Sequence, residues 1–144
     1  MSVAAILKHK GYQVTSVTPT TAIAEVTEVL AQHHIGAVLV MDRAEQLLGI
    51  VSERDIVRSL AANGARTLEM TAGQLMTRAL QVATPETTVG EAMQLMTEGR
   101  FRHLPVIDQE KVVGLISIGD VVKARIMQQA HEVDSLRAYV AGAA

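Results

Sequence analysis

Two stretches of this chain set a serine and an aspartate three residues apart behind a glycine. They are Gly49, Ser52 and Asp55, and then Gly114, Ser117 and Asp120. Each falls where a run of β-type residues gives way to helical spacing, so each reads as a strand-to-helix junction. Ser-x-x-Asp ahead of an apolar run can act as a capping box that satisfies orphan N–H groups at a helix start. The same residues can also do chemistry. A helix N-terminus attracts phosphate, and a carboxylate there, aimed into a cleft, can accept two hydrogen bonds from a ribose diol.

Other chemistry finds little support. The chain has no P-loop, no Gly-x-Ser-x-Gly, no His-Glu-x-x-His and no carboxylate pair in a general-acid setting, so no enzyme is expected. His33 and His34 are adjacent, and adjacent helical residues point about 100° apart, so they read as a solvated helix end rather than a metal pair. His9 and His131 read as surface residues. The seven methionines, Met93 and Met96 among them, read as filling for an aromatic-poor core.

The elements that carry the two junctions form an internal repeat. At an offset of 66, Val17-Thr18-Pro19 lies on Ala83-Thr84-Pro85, and the register holds until Val40-Met41-Asp42 meets Val106-Ile107-Asp108. One residue is then lost in a polar turn, and Gly49 to Val57 lies on Gly114 to Val122. Each copy opens with an extended piece (Val14 to Val17; Leu80 to Ala83) that stops at Thr-Pro. A helix follows, with Ile23, Val26, Val29 and Leu30, or Val89, Ala92, Met93 and Met96, at helical spacing. Thr20 or Thr21, and Thr87 or Thr88, are candidate N-caps. Strands are expected at Ala37 to Met41 and Leu47 to Val51, and at Leu104 to Ile107 and Val112 to Ile116. A helix opening at Ser52 or Ser117 completes a β-α-β-β-α order. Thr71 to Met76 reads as a helical lead-in to the second copy, as Val3 to Leu7 does for the first. The tail, Asp120 to Val140, reads as an amphipathic helix with Val122, Ile126, Ala130, Val133, Leu136 and Val140 on one stripe and Gly142 at its end.

Composition narrows the partners. The 144 residues carry a formal charge of -2, and the aromatics are Tyr12, Phe101 and Tyr139 alone. With neither a basic field nor stacking platforms, nucleic acid is not expected. The absence of cysteine suits a reducing compartment. No apolar run approaches the ~18 residues of a membrane span, and the start lacks the charge order of a signal peptide. A soluble cytoplasmic protein without a membrane partner is the expectation.

With Thr-Pro before the first helix of each copy, Arg102-His103-Leu104-Pro105-Val106 in the second, and Gly-x-x-Ser-x-x-Asp in both, the chain resembles a tandem pair of cystathionine β-synthase (CBS) domains, a Bateman module. The resemblance covers about residues 8 to 127. It implies a mixed α/β fold, of α+β class, with repeats at 8–65 and 72–127 packed sheet to sheet and a helical tail at 128–144. It also implies an adenine nucleotide (AMP, ADP, ATP or NAD) or S-adenosylmethionine in clefts between the repeats. Asp55 and Asp120 would hold ribose hydroxyls, with Ser52 and Ser117 at the ribose-phosphate end. Arg102 and His103 match positions that face phosphate. The segments around Lys10 to Val14 and Met76 to Leu80 would flank the base.

The two sites are not expected to be equal. The second copy offers Arg102 and His103 where the first has Gly36 and Ala37, and Ile118-Gly119 where the first has Glu53-Arg54. Glycine lets phosphate approach a helix start closely. Glu53 disfavours an anion, and Arg54 offsets it. The Asp120 site is therefore expected to be the tighter. The module reads as a free-standing homodimeric sensor acting on an unknown regulated protein. The rival reading is a scaffold in which both motifs only cap helices, and a third is a nucleotide hydrolase.

Overall fold

The computed structural model describes residues 1–78 and 80–143. The chain divides into two compact units. One comprises Gln13–Leu80 and Gln109–Val113; the other comprises Met1–Tyr12, Gln81–Asp108 and Gly114–Ala144.

In the first unit a two-residue strand, β1 (Ser16–Val17), lies parallel to β2 (Ala37–Met41), which pairs antiparallel with β3 (Leu47–Ser52). Helix α2 (Ile23–His33) buries Ile23, Val26 and Leu30 and half-buries Val29. Those residues meet Val38, Val40 and Val51 from the sheet and Ile56 from α3 (Glu53–Asn63) in one core. A 3₁₀ turn, Gly64–Glu69, leads to the short α4 (Ala72–Leu75). Buried Ser59 and Thr67 share a hydroxyl hydrogen bond of 2.8 Å, which satisfies both.

The second unit starts with α1 (Val3–Lys10). It continues through α5 (Val89–Gly99), β4 (His103–Asp108), β5 (Lys111–Ser117), of which Gly114 onward belongs to this unit, and α6 (Ile118–Ala143). The expected extended piece shrinks to a single parallel bridge, Ala83 to Val106. Val89, Ala92 and Met96 of α5 are buried, with Leu104, Val106, Ile116 and Val121. The α-β-β-α part of the order expected of each copy is thus present in both, with the ends of β2 to β5 within a residue of expectation, while the opening strand is β1 alone in the first copy and a single bridge in the second.

Three expectations change. Thr88 caps α5 in a full capping box with Glu91, but the N-cap of α2 is Ala22, not Thr20 or Thr21. Thr21 accepts from the Thr18 amide instead, and the first N–H of α2, that of Ile23, donates to the Met70 carbonyl at 2.8 Å. Gly142 does not end the tail, because α6 continues through it for 26 residues in all.

The third change concerns the lead-ins, which exchange copies. The amides of Val3 and Ala4 donate to Thr87 and Pro85 of the second copy, at 2.8 and 2.9 Å. Those of Ala72 and Gly73 donate to Thr21 and Pro19 of the first, both at 2.8 Å. In return Val89 donates to Met1, as Ile23 does to Met70. The register is the same in both copies, so either helix fits either set of acceptors. Side-chain packing distinguishes them: Leu7 lies against Gly114, and Met76 against Gly49.

Candidate functional site

Both Ser-x-x-Asp segments close the capping box that their spacing allows. In the first, the Ser52 amide and hydroxyl donate to Asp55 Oδ2 at 2.8 and 3.0 Å, and the Asp55 amide donates back to Ser52 Oγ at 3.3 Å. In the second, Ser117 and Asp120 repeat this at 2.8, 3.0 and 3.2 Å. All of these carboxylate contacts end on Oδ2. A carboxylate has about four acceptor positions, so Oδ1 keeps capacity for a ligand.

The glycine that precedes each box has a packing cause. A Cβ on Gly49 would stand 2.7 Å from both Met76 Sδ and the Thr77 carbonyl oxygen. One on Gly114 would stand 2.5 Å from a Leu7 methyl. Each strand thus needs a bare backbone where the lead-in crosses it. Gly119 differs, since a Cβ there would meet only Ser117 Oγ, at an ordinary 3.6 Å. No contact among the described residues demands glycine at that position.

Within the second unit the structure brings the expected residues to one helix start. The Ile118 amide donates to the Arg102 carbonyl at 2.8 Å, which ties the start of β4 to the first turn of α6. Arg102 is exposed, His103 half-buried at the first position of β4, and Gly119 exposed beside half-buried Ser117, Ile118 and Asp120. The first unit has the same clamp, Glu53 amide to Gly36 carbonyl at 2.9 Å, with no side chain at Gly36. There Ser52 and Asp55 are half-buried, and Arg54 lies exposed in the first turn of α3.

Sequence reading misses the group that engages Asp120. Lys10, at the end of α1, puts its ammonium 2.6 Å from Asp120 Oδ2 and 2.8 Å from the Leu115 carbonyl oxygen. Its place in a lead-in was legible, but a partner 110 positions away leaves no local pattern. Burial works to raise the Asp120 pKa, but the Lys10 hydrogen bond, the Ser117 amide and the Lys10 charge outweigh it and hold the carboxyl below its ordinary value of 3.8. A depressed folded-state pKa adds stability that is full above 3.8 and is lost as pH falls through the folded value. Lys10→Met should therefore flatten the acid limb of stability measured by urea unfolding from pH 6 downward. An unchanged acid limb would show that the ion pair contributes nothing there.

A cavity of about 450 Å³ opens on this carboxylate, lined by Ala5, Ile6, His9, Lys10, Asp120, Lys123, Ala124 and Met127, together with Met1. Its lining sets Lys10, Lys123 and His9 and the one carboxylate of Asp120 among apolar residues, and Lys10 is the cation in contact with that carboxylate. Among the described residues there is no cluster of three His, Asp or Glu side chains able to hold a metal. Among them too, no helix is long and apolar enough to cross a membrane.

The CBS-domain family model matches residues 5–62 and 72–127. A protein of Arabidopsis thaliana, the mitochondrial CBS domain-containing protein CBSX3, is 39% identical over 129 residues, 87% of this chain. The chain spans 63% of that relative's length. The CBS-domain containing protein ATU1752 of Agrobacterium tumefaciens is 42% identical, with a TM-score of 0.85 over 87% of this chain and 99% of its own. The CBS domain pair of protein MJ0100, solved in complex with 5-methylthioadenosine and S-adenosyl-L-methionine, superposes with a TM-score of 0.77 at 25% identity. That match covers 86% of this chain and 98% of the other.

Proposed function

Since the chain belongs to the CBS-domain family and carries two copies of the domain, we propose that it is a regulatory module that binds an adenine nucleotide, AMP first among them, with ADP, ATP and NAD as alternatives. Asp120 and Asp55 would each take a ribose diol, and Arg102, with His103 and the Ser117 to Gly119 turn, would take phosphate. The observation that carries this reading is the joining of Arg102 to the first turn of α6, which sets a guanidinium-bearing residue beside an ionised carboxylate at a helix N-terminus. The adenosine-containing ligands of the MJ0100 pair support the same ligand class. The ligand acts by population shift, binding one arrangement of the module better than another, and the output passes to a regulated protein. We assign no catalytic step to any residue. A cytoplasmic setting completes the reading, and the cysteine-free composition suits it.

A thermal-shift panel of AMP, ADP, ATP, NAD and adenosine tests this. Arg102→Ala should weaken AMP by about tenfold or more and adenosine little, because a charge-assisted hydrogen bond contributes roughly 1.5–3 kcal/mol. Equal losses for both ligands would remove the phosphate role. The closed capping boxes favour a second reading, a scaffold whose serines and aspartates only cap helices. A protein that no nucleotide in the panel stabilises would establish it.

We further propose a homodimer formed through α6. Beyond the buried Val121 and Ala124, the helix presents Val133, Leu136, Tyr139 and Val140 to solvent, with relative exposures of 48, 63, 75 and 60%. Such a stripe fits a second copy of itself. Removing residues from Gln129 onward spares both buried positions, so the fold should persist while sedimentation reports monomers. A truncated chain that still sediments as a dimer would locate the contact elsewhere.

A further inference from the structure

We propose that Lys10 sets the charge selectivity of the Asp120 site, favouring adenosine ligands that bring a phosphate over neutral or sulfonium ones. The inference rests on the nucleotide-binding reading above and names a residue outside both motifs. Lys10 and a ribose diol want the same carboxylate. Asp120 Oδ2 already accepts the Ser117 amide, the Ser117 hydroxyl and the Lys10 ammonium. A diol that takes both carboxylate oxygens must displace the ammonium, the one partner of the three that is not built into the helix start. A neutral nucleoside that does so leaves Lys10 with the Leu115 carbonyl and no counter-charge. A phosphate-bearing ligand supplies that counter-charge itself, and the four-carbon lysine stem lets the ammonium follow it. A sulfonium ligand adds a cation to a wall that already holds Lys10, Lys123 and His9.

The two repeats satisfy this strand carbonyl in different ways. In the first repeat the carbonyl equivalent to that of Leu115 belongs to Ile50, and it accepts the backbone amide of Thr77 at 2.9 Å. The chain past α4 reaches that carbonyl with its own backbone. Past Leu7, α1 instead stays helical to Lys10 and reaches across with a side chain.

The experiment is calorimetric titration of the native protein, Lys10→Met and Lys10→Arg with AMP, adenosine and S-adenosylmethionine. Lys10 is 39% exposed at a helix end, so neither substitution disturbs the core. The expected result is a native preference for AMP over adenosine that falls about tenfold in Lys10→Met, the size of one lost charge-assisted bond. Adenosine and S-adenosylmethionine should then bind more tightly, while Lys10→Arg keeps the native order. Binding of all three ligands with an unchanged AMP-to-adenosine ratio in Lys10→Met would overturn this inference and leave the nucleotide reading standing. Failure of every variant to bind any of the three would overturn both.

Discussion

If AMP binds as proposed, Asp120→Ala is expected to abolish most of the melting-temperature rise expected of AMP with the native protein. A ligand that binds only the folded state at a hundredfold excess over its Kd stabilises it by about 2.7 kcal/mol. In a chain of this size that is a rise of roughly 5–10 °C. Without the Asp120 carboxylate the diol has no ionised acceptor, and the rise should shrink to a degree or two. The substitution also opens the capping box with Ser117 and frees Lys10. The unliganded protein should therefore melt lower too, by the equivalent of about 1 kcal/mol. The ligand-induced difference, not the absolute melting point, is the quantity to compare. Asp55→Ala should remove less of it, because Gly36 stands where Arg102 stands in the second repeat and Glu53 adds a negative charge to the first turn of α3. An Asp120→Ala protein that melts lower but keeps its full ligand response would reduce Asp120 to a capping residue. A larger loss from Asp55→Ala would reverse the assigned order of the sites.

Gly49→Ala should destabilise the chain by about 3 kcal/mol, more than Gly114→Ala. Overpacking by one methyl costs about 1–3 kcal/mol. At Gly49 the new Cβ meets a backbone oxygen, that of Thr77, at 2.7 Å, and a backbone oxygen cannot rotate away. Relief requires the Thr77 segment to withdraw from β3. Its two hydrogen bonds with Ile50, of 2.9 and 3.1 Å, then go, each contributing about 0.5–1.5 kcal/mol. At Gly114 the obstruction is the end of the Leu7 side chain, which can change rotamer at smaller cost. Urea unfolding of the two variants measures the difference. Equal destabilisation would mean that the Thr77 segment yields as readily as a leucine methyl.

The parts of this molecule written in local periodicity are the parts the sequence discloses. Short continuous apolar runs place β2 and β3, and 3.6-residue spacing places α2 and α5, because each element shows in its own residues alone. Ser52 and Asp55, and Ser117 and Asp120, are legible as helix starts because the two members of each capping box lie within one turn. Lys10 is not legible as a partner of Asp120, since nothing near either residue records a meeting across 110 positions. The exchange of lead-ins is hidden for a related reason. Pro19 and Thr21 recur as Pro85 and Thr87, so their carbonyls offer the same acceptors to either helix. The Ala22 cap of α2 is hidden too, because the group that satisfies the first amide of that helix is a carbonyl at Met70.

The exchanged lead-ins also set a timetable for synthesis. The helix of residues 3–10 is made about 75 residues before its acceptors at Pro85 and Thr87. At about 5–20 residues per second, that is a wait of roughly 4–15 s. Helix formation and chain collapse take microseconds. Throughout that interval Val3, Ile6 and Leu7, all buried in the finished protein, have no second repeat to cover them. The elements of residues 13–80, which include their own lead-in at α4, emerge complete in the meantime. The nascent chain therefore carries the apolar helix α1 uncovered for seconds, which makes that helix a natural handle for a chaperone and a point of misassembly.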